Sequence, residues 1–213
     1  MTDGKTREAI RYLGYGRNAV DERTSRMIEE SFKELEGCAN AKSVYRIFEC
    51  TMDAEESLLI GNVRVHSKNL YKNLKNCREV ILFAATLGIE TDRLLKRYSI
   101  SDMSRAVVLQ ACAAAYLEEY CDNCQNELED SLQGRWLRPR FSPGYGDFDI
   151  RHQEDILKML DAMKRIGIGR TESYMLTPTK SVTAVIGISQ TKENCHKQGC
   201  EVCDKKDCAY RRD

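Results

Sequence analysis

Residues 138–147 read Arg138-Pro-Arg-Phe-Ser-Pro-Gly-Tyr-Gly-Asp147, and this stretch is the most informative in the chain. It holds two of the three prolines of the protein, together with two glycines and two aromatic residues. Proline fixes φ and removes a backbone donor, whereas glycine opens conformations closed to other residues. We therefore expect a stiff, extended loop that projects Arg140 and Tyr145 at defined positions. Such a loop either clamps a small molecule or simply connects two helices, and the residues alone leave both interpretations open.

Helical and extended segments surround this loop without a regular alternation. Helical spacing of apolar residues predicts helices over residues 5–13, 21–37, 67–76, 88–98, 102–132 and 152–166. Apolar or alternating runs predict extended chain over residues 43–66 and 79–85, and a hairpin with arms at 172–177 and 181–189. Such a mixture predicts an α+β domain, in which a mixed or antiparallel twisted sheet is flanked by helices.

Composition limits the classes of partner. The 213 residues carry 33 basic and 33 acidic side chains, so the net charge favours no nucleic-acid partner. No apolar run is long enough to cross a bilayer, and residues 1–8 contain no apolar signal core, so we expect no membrane association and a cytoplasmic location. The composition turns polar and cysteine-rich near residue 190. We therefore expect one domain over residues 1–190 and a separate tail over 191–213.

The loop and the long helix before it suggest a ligand site. Glu118 and Glu119 follow an alanine-rich stretch of the long helix. Two interpretations stay open: one of these glutamates faces the loop, or both are solvated. A carboxylate near Arg140 would complement a zwitterion, because the acid pairs with an ammonium group while the guanidinium binds a carboxylate. Thr171-Glu-Ser173 either lines the same cleft or is ordinary strand edge. We find no catalytic set, because no nucleophile motif accompanies any of the three histidines.

Four of the ten cysteines lie in the tail, at Cys195, Cys200, Cys203 and Cys208. Four thiolates so closely spaced suit structural zinc, and the first three also match part of a plant-type iron–sulfur spacing. Free or redox-active thiols are the third possibility. The scattered cysteines are expected to be reduced and to pack as small hydrophobes, at positions 38, 50, 77 and 112. The Cys121-x2-Cys124 pair lies in the long helix and is interpreted as core or helix surface, with a redox pair as the alternative.

The motif Arg140-Phe-Ser-Pro-Gly-Tyr145 resembles a known family. Together with the preceding helix, which carries Glu118, and the later Thr171-Glu-Ser173 segment, it is similar to the reactivation domain of cobalamin-dependent methionine synthase. The order and spacing of these pieces agree over roughly residues 100–190, and the chain looks most like the free-standing, single-domain branch. The resemblance implies the α+β fold of that activation domain.

The resemblance also implies a function and a set of site residues. It implies an accessory protein that binds S-adenosylmethionine for the reductive methylation of cobalamin on a corrinoid-binding methyltransferase, such as a split methionine synthase. A reduced flavodoxin or ferredoxin-type donor would supply the electron. The chain would then be a component of a methyltransferase activity in methionine biosynthesis, not a complete enzyme. The implied ligand-binding residues are Glu118, Arg140, Ser142, Gly144, Tyr145, Glu172 and Ser173.

The chain departs from the family at three places, one of which is the cysteine tail, expected to lie outside the standard domain. The acidic Asp-Trp-Thr-Pro segment of the full-length enzymes has no counterpart here, and Tyr145 is followed by Gly-Asp-Phe-Asp instead of a Pro- and Cys-containing continuation. A different function therefore stays open: an iron–sulfur or redox protein that uses the cysteine tail to deliver electrons to a corrinoid protein without S-adenosylmethionine. The sequence identifies neither the partner nor the electron donor.

Overall fold

A computed structural model describes residues 4–15, 18–53 and 56–192. Seven helices and eight strands lie in these ranges. The helices are α1 (Gly4–Tyr12), α2 (Glu22–Cys38), α3 (Lys68–Asn73), α4 (Ile89–Ser101), α5 (Met103–Ser131), α6 (His152–Leu160) and α7 (Ala162–Ile166). The strands are β1 (Lys42–Met52), β2 (Ser57–Ile60), β3 (Val63–His66), β4 (Glu79–Thr86), β5 (Trp136–Leu137), β6 (Gly169–Arg170), β7 (Leu176–Thr177) and β8 (Ser181–Ser189).

Three helices begin where a short polar side chain can cap them. Asp21 accepts a hydrogen bond from the backbone amide of Thr24 at the start of α2, and Asp102 accepts one from Arg105 at the start of α5. Ser67 accepts one from Leu70 at the start of α3. Each cap satisfies an amide that has no partner within its helix. These starts agree with the positions expected from the sequence.

The main sheet has the strand order β3-β2-β1-β4-β8-β5, and its described pairs are all antiparallel. The α+β prediction is therefore confirmed. Alternate residues of β4 point to opposite faces, so Ile81 and Phe83 belong to one core while Val80 and Leu82 belong to another. Helices α1, α2, α4 and α5 cover the first face, and α3, α6 and α7 cover the second.

Two sequence expectations in the C-terminal third are wrong. The helix expected over residues 152–166 is broken at Asp161, which adopts a left-handed φ of 52° between α6 and α7. Aspartate is one of the few residues that tolerate this conformation. The expected hairpin does not form either, because β8 pairs with β4 and β5 whereas β7 pairs with β6. Since β8 is buried on both faces from Thr183 onward, it occupies an interior position in the sheet.

The cysteines of the described ranges are unbridged. Cys50, Cys77 and Cys112 are buried, as expected of small core hydrophobes, whereas Cys38 is half-buried. Cys121 is also buried, and Cys124 is half-buried with its sulfur 3.6 Å from Ser43 Oγ. Burial raises the pKa of Cys121 to about 12, which keeps this thiol protonated and unreactive and favours the core interpretation of the pair.

Candidate functional site

The Arg138–Asp147 loop begins as an added edge of the sheet. After β5, the amide of Arg138 donates to the carbonyl of Gly187 at 2.8 Å, and Phe141 exchanges backbone hydrogen bonds with Val185 at 3.0 and 2.8 Å. Pro139 lacks a donor and is tolerated because it lies on this outer edge. The first half of the loop is therefore fixed to β8, as the stiff-loop prediction requires.

Arg140 lies on the α5 side of this edge and is held by three side chains of that helix. Its Nη2 donates to Glu118 Oε2 at 3.0 Å and to Asp122 Oδ1 at 2.6 Å, and its Nη1 donates to Gln125 Oε1 at 3.1 Å. Positions 118, 122 and 125 recur at helical spacing and so share one face of α5. The structure thus brings together Glu118 and Arg140, the two residues that the sequence placed at opposite ends of a ligand.

The charge balance around Arg140 favours its ionised state. Only 17% of its side chain is exposed, compared with 36% for Glu118 and 53% for Asp122. Burial alone would lower the pKa of Arg140, but hydrogen bonding and charge attraction from Asp122, with a further contribution from Glu118, outweigh burial and raise it. Both hydrogens of Nη2 are committed to carboxylates. A ligand carboxylate that binds this guanidinium in bidentate fashion must therefore displace one of the two acids.

The second half of the loop is a compact turn and not the extended chain that the sequence predicted. The amide of Tyr145 donates to the carbonyl of Ser142 at 3.1 Å, and the amide of Gly144 donates to the carbonyl of Phe148 at 2.7 Å. Gly144 has a φ of 93°, in the left-handed region that favours glycine. The Tyr145 side chain is 62% exposed, with its ring edge-on to Phe141 at 6.5 Å between centroids. Ser142, Gly144 and Tyr145 therefore lie in one turn that directly continues from Arg140.

The turn ends at a contact that sequence reasoning missed. Asp147 accepts hydrogen bonds from Ser67 Oγ at 2.6 Å and from the amides of Lys68 and Asn69 at 2.7 and 3.1 Å. Burial would raise the pKa of Asp147, but these hydrogen bonds outweigh it and lower the pKa. The only sequence signal was the Gly-Asp pair after the loop motif. Asp122 and Gln125 were also missed, although their spacing from Glu118 on a predicted helix was visible.

Glu172 and Ser173 lie apart in a different turn, between β6 and β7. Ser173 Oγ is 2.9 Å from Thr171 Oγ1, and Gln153 Nε2 of α6 donates to the carbonyl of Tyr174 at 2.9 Å. Gln153 in turn accepts from Thr183 Oγ1 of β8 at 3.2 Å. The described hydrogen bonds thus tie this turn to α6 and β8, and not to the Arg138–Asp147 loop. The assignment of Glu172 and Ser173 to the ligand site stays a prediction.

The predicted metal ligands Cys195, Cys200, Cys203 and Cys208 lie outside the described residues. Within residues 4–15, 18–53 and 56–192, no group of three or more His, Cys, Asp or Glu side chains is arranged to hold a metal ion. None of the helices in these same ranges combines the length and apolar character needed to cross a membrane.

Comparisons with known proteins agree with the α+β fold. The fold is similar to a crystal structure of the MetH reactivation domain bound to AdoHcy, with a TM-score of 0.61 and 14% sequence identity. The similarity covers 92% of this chain and 78% of that one. A search of curated proteins finds no match.

The sequence match identifies the family. Residues 70–210 match the family described as vitamin B12 dependent methionine synthase, activation domain. Because the match covers well over half of the chain, the protein belongs to this family. The matched range includes α5, the Arg138–Asp147 loop and β8. It also extends through the four tail cysteines, contrary to the expectation that the tail lies outside the family's domain.

Proposed function

We propose that this protein binds S-adenosylmethionine at the Arg138–Asp147 loop and α5, and supports the reductive methylation of cobalamin carried by a partner methyltransferase. The observation that carries the proposal is the Arg140 guanidinium held against an acidic face of α5. Membership of the activation-domain family supports it, as does the similarity of the fold to a domain crystallised with AdoHcy.

The chemistry of this cluster fits the methionyl end of the ligand. Arg140 offers a charged, planar donor set to the carboxylate, and Glu118 offers an acceptor to the ammonium group. When the ligand carboxylate displaces Asp122 from Nη2, Glu118 stays close enough to bind the ammonium group of the same ligand. Arg140 thus exchanges its ion pair with Asp122 for one with the ligand carboxylate, and its charge is never left unpaired.

The turn that follows would bind the rest of the ligand. Ser142 and Gly144 would contact it through the backbone, and the exposed ring of Tyr145 is free to cover it. Glu172 and Ser173, both exposed, would reach the ligand from the β6–β7 turn. Chemistry would come from the sulfonium and from cobalt on the partner, with this protein supplying position and charge complementarity.

The proposed role is that of a component, not a complete enzyme. The partner would be a corrinoid-binding methyltransferase, such as a split methionine synthase, and the electron would come from a reduced flavodoxin or ferredoxin-type donor. The electron and the methyl group of the sulfonium together restore methylcobalamin and leave S-adenosylhomocysteine. The cytoplasmic location expected from the sequence stays a prediction.

Isothermal titration calorimetry with S-adenosylmethionine tests this function. We expect wild-type protein to bind, and Arg140→Ala to bind at least about tenfold more weakly because a charge-assisted contact is lost. Arg151→Ala is the matched control, since Arg151 is exposed and pairs with Asp149. Absence of binding by wild type, or equal affinity for wild type and Arg140→Ala, would refute the proposal.

We also propose that residues 191–213 form a metal-binding tail beside a domain of residues 1–190. The spacing Cys195-x4-Cys200-x2-Cys203-x4-Cys208 supports zinc or an iron–sulfur cluster. An iron–sulfur tail would favour the second candidate function, in which the protein delivers electrons to a corrinoid protein without S-adenosylmethionine. Metal analysis of anaerobically purified protein distinguishes the two candidate functions. Colourless protein that contains zinc refutes electron delivery. Coloured protein that contains iron and does not bind S-adenosylmethionine refutes the S-adenosylmethionine-dependent function.

A further inference from the structure

We propose that Asp147 is a positioning residue that fastens the ligand-binding turn to the start of α3. This inference rests on the proposed function of the turn. Asp147 touches neither Arg140 nor Glu118 in the described contacts, and its own partners lie about 80 residues earlier in the chain, at separations of 80, 79 and 78 residues. The contact therefore ties the end of the loop to a distant element.

The two ends of the loop are held on opposite faces of the sheet. Arg140 binds side chains of α5, which covers one face, and Asp147 binds the first turn of α3, which covers the other. The six residues between them are further held by Phe141, whose backbone pairs with Val185. With both ends fixed, Ser142, Gly144 and Tyr145 have little freedom, and a site that is ordered before binding loses less entropy when the ligand arrives.

The Asp147 carboxylate is well matched to its partners. It accepts two backbone amides and one hydroxyl, and the same Ser67 Oγ that donates to it also accepts from the amide of Leu70 at 3.0 Å. Ser67 and Asp147 together therefore satisfy three of the amides that α3 leaves unpaired at its start. Removal of the carboxylate would leave two of these amides without an acceptor and release the turn.

The residue before the carboxylate is fitted to the same contact. Gly146 has a φ of 56°, and a Cβ atom at this position would lie 2.3 Å from Asn69 Nδ2. A side chain at 146 would therefore have to displace the Asn69 side chain and would adopt a left-handed backbone that favours glycine. On the other side of Asp147, the Phe148 ring is buried and stacks on His152 at 5.5 Å. Gly146 and Asp147 therefore both face the start of α3, while Phe148 packs on His152 at the start of α6.

Asp149 provides a control for this role. It lies two residues further on and is also a carboxylate, but its described partner is the exposed Arg151 next to it and not another element. Substitution of Asp149 therefore removes a negative charge from the same region without releasing the turn from α3.

The test combines calorimetry with hydrogen–deuterium exchange on the full chain. We expect Asp147→Ala to bind S-adenosylmethionine about tenfold more weakly, because a turn freed at one end must be ordered on binding. In the absence of ligand, the peptides that cover residues 66–70 and 141–148 should exchange faster, while those from β4 and β8 do not change. Asp147→Asn keeps one acceptor oxygen, so it should recover part of the lost affinity and part of the lost protection from exchange. Asp149→Ala should match wild type in affinity.

Two results would overturn the proposal. Unchanged exchange in residues 141–148 of Asp147→Ala would show that the carboxylate does not hold the turn. Faster exchange with wild-type affinity would show that it stabilises the fold without positioning the ligand site. Absence of binding by wild type is a distinct result that refutes the proposed function itself, and the positioning role with it.

Discussion

Replacement of Asp122 by asparagine should tighten ligand binding, although it removes a charged hydrogen bond from the site. Asp122 Oδ1 lies 2.6 Å from Nη2 of Arg140, and Glu118 accepts the other hydrogen of the same nitrogen. In the proposed complex the ligand carboxylate takes the place of Asp122. The ion pair between Asp122 and Arg140 must therefore be broken when the ligand binds, and its free energy lowers the affinity for the ligand.

The magnitude follows from the exposure of the pair. Because 53% of the Asp122 side chain is exposed but only 17% of the Arg140 side chain is, we place their ion pair at the upper end of the range for surface pairs, about 1 kcal/mol. Asparagine keeps a weaker, neutral hydrogen bond and removes most of this cost. At 1.4 kcal/mol per factor of ten, affinity should rise by up to about fivefold.

Calorimetry with two ligands measures this effect cleanly. S-adenosylhomocysteine lacks the sulfonium charge, so the full gain should appear with it. S-adenosylmethionine should show a smaller gain, because its cation also loses attraction to Asp122. Asp130→Asn is the control, since Asp130 is an exposed acid two turns further along α5 and its loss changes the net charge equally.

The opposite result would refute this reasoning. If Asp122→Asn bound S-adenosylhomocysteine more weakly than wild type, Asp122 would be an orienting partner of Arg140 and not a competitor of the ligand. Equal affinities for wild type and both variants would show that Asp122 is not displaced.

Three further predictions concern stability and reactivity. Leu109→Ala, on α5 at 1% exposure, should lower the free energy of unfolding in urea by about 2–5 kcal/mol, since it opens a cavity in the buried core, and a loss below about 1 kcal/mol would contradict the described core. Cys112 and Cys121 should resist alkylation at pH 8, because burial raises the pKa of each thiol to about 12; peptide mapping checks this, and rapid labelling of native protein would count against it. Hydrogen bonds from Arg151 lower the pKa of Asp149 to about 2, so Asp149 stabilises the fold above about pH 4 and loses that contribution as pH falls through about 2. Wild type and Asp149→Asn should therefore differ in urea stability at pH 7, and the difference should shrink steadily below about pH 4; a constant difference would be the contrary result.

Much of the fold was predictable because helix-capping residues and runs of apolar residues mark the same elements that the structure caps or buries. The caps Asp21, Ser67 and Asp102 begin helices at the expected places, and β4 is an uninterrupted apolar run buried in the centre of the sheet. The hairpin prediction failed because strand pairing is decided by tertiary packing: the alternation in β8 predicts a strand but not its neighbours. The break at Asp161 depends on a single left-handed residue, which apolar periodicity does not reveal.

The candidate site was predictable in its residue types and less so in its contacts. Helical spacing left open whether Glu118 or Glu119 faces the loop, and the resemblance to the family selected Glu118. Its direct hydrogen bond with Arg140 was not predicted, because the two residues were expected at opposite ends of a ligand. Asp122 was not anticipated as a competing partner, because an acid on an exposed helix face resembles any solvated charge. Asp147 was not anticipated either, since its partners at the start of α3 are about 80 residues away in sequence and are brought close only by the fold.

A crystal structure grown in excess S-adenosylmethionine tests the central claim most directly. We predict that the ligand carboxylate contacts the Arg140 guanidinium, that its ammonium group contacts Glu118, and that Asp122 has moved away from Nη2. A structure in which Arg140 keeps both acids, with the nucleoside bound elsewhere or absent, would contradict the account.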